Sequence, residues 1–205
     1  MNRSRLPNGK NKDRGRPREF DTELALDNAM LVFREKGFHA ASIAELGEAM
    51  HLTAGSIYKA FKDKRTLFLN VFERYTSLRN EALRQRLATQ ATGREKLAEL
   101  LRFYLESAQD VEGRRGCLVV GSATELQVLD EALSGLVRQA VIRNKSLLVS
   151  LLAQGQQDGS VSASLDTEVA AELILCLTFG MRIVGKMQNV TAREPTLSLA
   201  MKLLD

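Results

Sequence analysis

The stretch "SIAELGEAMHLTAGSIYKAF", Ser42 to Phe61, decides how the rest of the chain is read. "SIAE" is a capping box, with Ser42 as the cap and Glu45 three residues on. Ile43, Leu46 and Met50 then recur at helical spacing, so a short helix is expected from Ser42. "MHLT" is a short turn. "LTAGSIYKAF" opens a second helix with Thr53 as its cap, and places Gly55 in its first turn. A glycine there costs about 1 kcal/mol relative to alanine, and so short a helix is not stable alone. Leu52, Ile57 and Phe61 are expected to pack inward and hold it.

Working outward, Asp21 or Thr22 can cap a helix with Ala25, Leu26, Ala29, Val32 and Phe33 on one face. Gly37 supplies its stop. Three short helices, with a tight turn between the second and third, suit a helix-turn-helix unit. In such a unit the second helix of the pair lies in the DNA major groove, and its first residues meet base edges and phosphates. Thr53, Ala54, Gly55 and Ser56 then sit at the exposed helix N-terminus, whose free N–H groups suit phosphate. Gly55 has no side chain to hold the backbone away from DNA. Tyr58 and Lys59 lie at the edge, within reach of phosphates.

Beyond Lys64 the helices lengthen. Leu67, Phe68, Val71, Phe72, Tyr75, Leu78 and Ala82 form a stripe, and after Gly93 so do Leu97, Leu100, Leu101, Tyr104, Leu105 and Ala108. "EGRRG" at 112–116 reads as a loop and "CLVVGSATELQVL" as helix. Residues 130–156 are amphipathic, residues 166–187 are apolar nearly all round, and a short helix follows Pro195. The expected fold is all-α: a basic unstructured arm over 1–19, a DNA-binding unit over 20–78 with its helix-turn-helix at about 41–60, and a helical body over 79–205.

The charge is uneven. The chain has 29 Lys and Arg against 25 Asp and Glu. Seven basic and two acidic residues fall in the first 20, so that segment is +5 and the remainder −1. A basic arm on a near-neutral body suggests a polyanion partner; a merely solvating tail is the plain alternative. Deleting residues 1–17 is expected to weaken DNA binding and flatten its salt dependence. The basic start is not followed by an apolar stretch, as a signal peptide would be. The apolar run Leu173–Met181 is too short to cross a bilayer. The expectation is a soluble, cytoplasmic protein.

The segment "GFHAASIAELGEAMHLTAGSIYKAFKDKRTLF" resembles the DNA-binding domain of the TetR family of bacterial regulators. Phe33, Gly37-Phe38, Ser42-Ile43, Ala44, Leu52, Gly55, Ile57-Tyr58, Phe61, Lys64 and Leu67-Phe68 carry the likeness. The resemblance implies that Tyr58 and Lys64 touch phosphates, with Ser42, Thr53, Ala54, Ser56 and Lys59 in or beside the groove. Ala60 replaces a ring common in the family, and Ala54 a longer polar side chain, so thymine methyls, water bridges and DNA shape would contribute more to readout. The resemblance further implies a homodimer on a palindromic operator, a ligand pocket, and repression relieved by a small-molecule inducer; an activator uses the same scaffold.

The body supports these unequally. Residues 166–187, with Gly180 and Gly185, together with Leu197, Ala200, Met201 and Leu204, read as half of a four-helix dimer interface, or else as a helix buried within one chain. Phe68, Phe72, Tyr75, Phe103, Tyr104, Leu133 and Val137 are pocket candidates, although such stripes are also plain core. An apolar or amphipathic inducer is expected. Cys117 follows "GRRG"; Arg114 and Arg115 could lower its pKa and make it a redox or electrophile sensor, or it is a small buried hydrophobe. Cys176 is expected in the core. No metal-ligand spacing, cofactor motif or His/Asp arrangement for an enzyme appears.

Overall fold

The computed structural model describes residues 20–205; the basic arm expected over 1–19 lies outside the described residues. Ten helices follow in order: α1 (Thr22–Ala40), α2 (Ile43–Met50), α3 (Ala54–Phe61), α4 (Lys64–Leu87), α5 (Gly93–Glu106), α6 (Asp110–Arg115), α7 (Leu118–Thr124), α8 (Glu131–Gln157), α9 (Thr167–Met187) and α10 (Arg193–Met201). A 3₁₀ turn, Lys202–Leu204, ends the chain. There is no strand among the described residues, so the fold is all-α.

Local chemistry sets most helix starts. Asp21, Ser42, Thr53, Asp63, Thr92, Asp130 and Asp166 each cap a helix by accepting from N–H groups of its first turn. The capping box at Ser42 and Glu45 is formed, and a second joins Thr92 to Glu95. Gly37 breaks α1 with φ 79°, after which Phe38 turns back on the core.

Two apolar cores lie along α4. The first joins α1, α2, α3 and the N-terminal half of α4 to α7 and the start of α8, and is centred on Phe33, Phe68 and Phe72. The rings of Phe33 and Phe38 each meet Phe68 edge-on, at 5.0 and 5.1 Å. The second core joins Leu83 and Leu87 of α4 to α5, the end of α8, α9 and α10. The first core therefore does not stop near residue 78, because Leu118, Val119, Leu133 and Val137 are part of it.

Several expectations change. "EGRRG" lies largely within a short helix, α6, and is not a loop: Gly113 lets α6 pack directly on the backbone of Ala108 and Gly185. After Tyr75 the inner face of α4 continues through Leu83 and Leu87, while Leu78 is half exposed and Ala82 exposed, because the 3.6-residue period drifts off the expected stripe. Cys176 is exposed on α9, not in the core. Leu197, Ala200 and Leu204 point inward and are buried in the second core, not at an outer interface; Leu199 and Leu203 face outward instead. Gly185 packs against Ala108, whereas Gly180 meets nothing.

Candidate nucleic-acid interface and internal cavity

α2 and α3 meet through a turn that depends on two residues. His51 adopts a left-handed conformation, φ 54°, and its N–H reaches the Glu48 carbonyl at 3.2 Å, while Leu52 N–H reaches Gly47 O at 2.9 Å. A Cβ on Gly47 would lie 2.7 Å from the Leu52 carbonyl oxygen. The missing side chain of Gly47 leaves room for the turn itself.

The turn holds α3 with Ile57 and Phe61 buried and its N-terminal end open. Thr53 Oγ1 accepts from Ser56 N–H at 3.2 Å and pairs with Ser56 Oγ at 3.0 Å. Thr53, Ala54, Gly55 and Lys59 are exposed, and Tyr58 is 49% exposed. A Cβ on Gly55 would meet only Thr53 Oγ1, at 3.9 Å. Nothing among the described residues requires that glycine.

The remaining two candidates are already engaged. Ser42 Oγ bonds both the backbone N–H and the carboxylate of Glu45. Hydrogen bonds from Lys36 and Ser42 hold Glu45 at a pKa of about 2. Lys64 Nζ donates to Ala41 O at 2.9 Å and His39 O at 3.3 Å, over the Phe38 ring. It ties the start of α4 to the α1–α2 connection and leaves one N–H for an outside acceptor.

The second feature is a small cavity between α4, α5, α7, α8 and α9, with about 30 Å³ open to the centres of water-sized groups. Of the pocket candidates, Tyr75, Phe103, Tyr104 and Cys117 line it. Phe68, Phe72, Leu133 and Val137 do not; all four are fully buried in the first core. Arg79, Asn80, Arg143, Asn144 and Phe179 also stand in the wall, so polar groups face the space alongside the aromatic rings. Arg79 was legible in principle, since a charge occupies the stripe position four residues after Tyr75.

The Arg79 guanidinium lies 4.6 Å from the Phe103 ring centre and 5.8 Å from those of Tyr75 and Tyr104, and donates to Ser107 Oγ at 3.3 Å. The Tyr75 hydroxyl is buried and makes no hydrogen bond, although the Cys117 thiol lies beside it. Burial pushes Tyr104 up to about 12. Burial also pushes the Cys117 thiol up, but Arg79, with the Val120 N–H and Arg182, sets the pKa below the usual 9.0. The cations responsible come from α4 and α9, not from the adjacent Arg114 and Arg115, which are not among the main influences on the thiol.

Cys117 is also one bond from a junction. The Gly116 carbonyl accepts from Arg34 of α1 (Nη2, 2.6 Å; Nε, 3.0 Å) and from Arg182 of α9 (Nη2, 2.8 Å). Arg34 pairs with Glu112 at 2.6 Å and lies 5.4 Å from the Tyr75 ring. Lys186 of α9 reaches the carbonyls of Arg34 and Glu35. Sequence spacing gave no sign of this clasp, which joins residues more than 60 apart.

Among the described residues no cluster suits a metal ion, and no helix is long and apolar enough to cross a membrane. Comparison with known proteins adds the lineage. Residues 25–71 match the family model described as bacterial regulatory proteins of the tetR family, and residues 93–194 a tetracyclin repressor-like C-terminal domain. The HTH-type transcriptional repressor ComR of Escherichia coli K12 is 29% identical over 178 residues, 85% of this chain and 84% of ComR. A cysteine-substituted form of the TetR family regulator CifR, solved on 26-bp operator DNA, is 32% identical with a TM-score of 0.73, covering 93% of this chain and 98% of that one. FadR of Bacillus subtilis, solved with stearoyl-CoA, is 20% identical with a TM-score of 0.71 over 90% of this chain and 97% of its own, a likeness of fold alone. The exposed helix end of α3, its two-residue hold on the turn and these likenesses converge: the chain belongs to the TetR family and is a DNA-binding transcriptional regulator, not an enzyme.

Proposed function

We propose that the protein is a repressor that binds a palindromic operator as a homodimer and releases it when a small molecule fills the cavity. The observation that carries this reading is the Gly116 clasp, which ties the cavity wall at Cys117 to α1 of the DNA-binding unit through Arg34. The Tyr75 ring touches both Arg34 and Arg79, so a ligand that moves Arg79 also disturbs the clasp. Occupancy would favour a conformer whose two reading helices no longer match the half-site spacing. Repression follows the name of ComR, and the inducer is amphipathic, in keeping with aromatic rings beside Arg79.

Dimerisation has its own support. Val169, Leu173, Cys176, Gly180, Ile183 and Met187 recur on α9 at alternating intervals of four and three residues. All but Gly180 are exposed, and Gly180 has open space before it. That is the seam of two packed helices, and one copy leaves it bare. Sedimentation at micromolar concentration should give a dimer, and a charged Leu173→Glu variant a monomer without operator affinity. Operator binding is tested by footprinting on the intergenic DNA beside the gene and by titration against scrambled DNA. Equal affinity for both sequences would overturn the reading.

The lowered thiol at the clasp favours a second reading, in which oxidants or electrophiles are sensed at Cys117. Because Arg79 lowers the pKa, alkylation of wild-type Cys117 should reach half its maximal rate below pH 9.0, and Arg79→Gln should move that midpoint upward. Operator release that persists in Cys117→Ser would remove the thiol from the mechanism. On the same scaffold the bound regulator could activate instead, which a reporter fused to the target promoter would show.

A further inference from the structure

The interior around Cys117 holds more positive charge than the described residues neutralise. Arg34, Arg79 and Arg182 surround it. Glu112 is the carboxylate at hand, and Arg34 already takes it at 2.6 Å. Arg182 is 1% exposed, lies 3.9 Å from that carboxylate, and leaves Nε and Nη1 without partners. Arg79 has only a serine hydroxyl and ring faces among the described residues. No Asp or Glu lines the cavity, yet the Tyr75 hydroxyl beside it is buried and unpartnered. Buried charge without a counter-ion and a buried donor without an acceptor are both unfavourable. A single group that is anionic and accepts hydrogen bonds relieves both.

The size of the space narrows the class. About 30 Å³ for water-sized centres corresponds to two or so waters, given roughly 10–15 Å³ for each. The carboxylate group itself, of three heavy atoms, is close to that volume, and its two oxygens suit a guanidinium fork. Phe103, Tyr104 and Phe179 would take its short alkyl part. We infer that the cavity binds a short carboxylate, with Arg79 as its charge partner and the Tyr75 hydroxyl as its second donor. This rests on the cavity being the effector site, and it names the chemistry of the effector.

Cys117 supplies an internal reporter. Iodoacetate and iodoacetamide alkylate the same thiolate with loss of iodide, and differ in that the first carries a carboxylate. Rates at Cys117 are read by peptide mass spectrometry, with N-acetylcysteine as the reference thiol. The iodoacetate-to-iodoacetamide ratio should exceed the reference by about tenfold, the value of one charge-assisted hydrogen bond. Arg79→Gln should return it to the reference, and because both reagents use one thiolate, any change in thiol pKa cancels. Should that variant not fold, Tyr75→Phe should lower the ratio part of the way. Propionate should protect Cys117 from iodoacetamide, while propanol, propylamine, chloride and sulfate should not. A ratio equal to the reference, a ratio unchanged in both variants, or equal protection by propanol or sulfate would overturn the proposal. Operator affinity is measured separately with propionate present. Protection without operator release leaves the carboxylate site standing and sinks the effector reading; release by an uncharged ligand with no carboxylate protection does the reverse.

Discussion

The two ends of α4 solve opposite problems. At the reading end the polar groups of the turn and of the two short helices are satisfied locally: Thr53 serves Ser56 and Ser42 serves Glu45. What is left over faces outward. At the cavity end polar groups are left over inside, on Tyr75 and Arg182. A surface meant for a large partner can complete its own bonding and offer a bare helix end. The proposed ligand site instead keeps unmet bonds inside.

That contrast can be attacked at both ends. The largest effect is expected at Phe68, which packs on Phe33, Phe38 and Phe72 in the core beneath the reading helices. Phe68→Ala should cost about 3–5 kcal/mol in denaturant unfolding. It should also weaken operator binding only through lost folded protein; a changed ligand affinity at matched folding would place it in the cavity after all. Next is Gly55→Leu, which has room within the chain. Its fold should be at least as stable as wild type on helix propensity, while operator affinity falls about a hundredfold, or roughly 2.7 kcal/mol. Normal operator binding would show that close backbone approach is not the reason for the glycine. Thr53→Ala removes a cap and should cost about 1 kcal/mol of stability, measured by the same unfolding curves. The smallest change is Tyr75→Phe without ligand. Removing a hydroxyl that has no partner should leave the melting temperature unchanged or slightly higher; a clear drop would reveal a bond that the hydroxyl makes.

The same contrast explains what the sequence made legible. The reading end is written in local spacing: a cap, a carboxylate three residues on, a turn, another cap. Each partner lies within about five residues of the other, so α2 and α3 were expected with their caps at the observed positions. The cavity is written in no spacing at all. Tyr75, Arg79, Phe103, Cys117, Arg143 and Phe179 come from five separate segments, and only the packing of α4, α5, α7, α8 and α9 brings them together. Neighbours in sequence misled there. Arg114 and Arg115 nearly adjoin Cys117, but they form the last turn of a short helix, α6, where a loop was expected, and Arg79 and Arg182 act on the thiol instead. Cys176 misled for another reason: an apolar helix is buried by whatever covers it, and hydropathy does not say whether that is the same chain.

One helix passes through both ends. α4 has 24 residues, which at 1.5 Å each makes a rod of about 36 Å. Its far half is fixed in the second core by Leu83 and Leu87, and its near end is tied by Lys64 to the backbone ahead of α2 and by Arg65 to Asp130 at 2.6 Å. In the proposed release, leverage sets the scale of control. Pivoting that rod by a single degree displaces its near end by about 0.6 Å, and five or six degrees moves it by about the rise of one base pair. A displacement at Arg79 smaller than a bond length, close to the pivot, is therefore a coarse adjustment by the time it reaches Lys64.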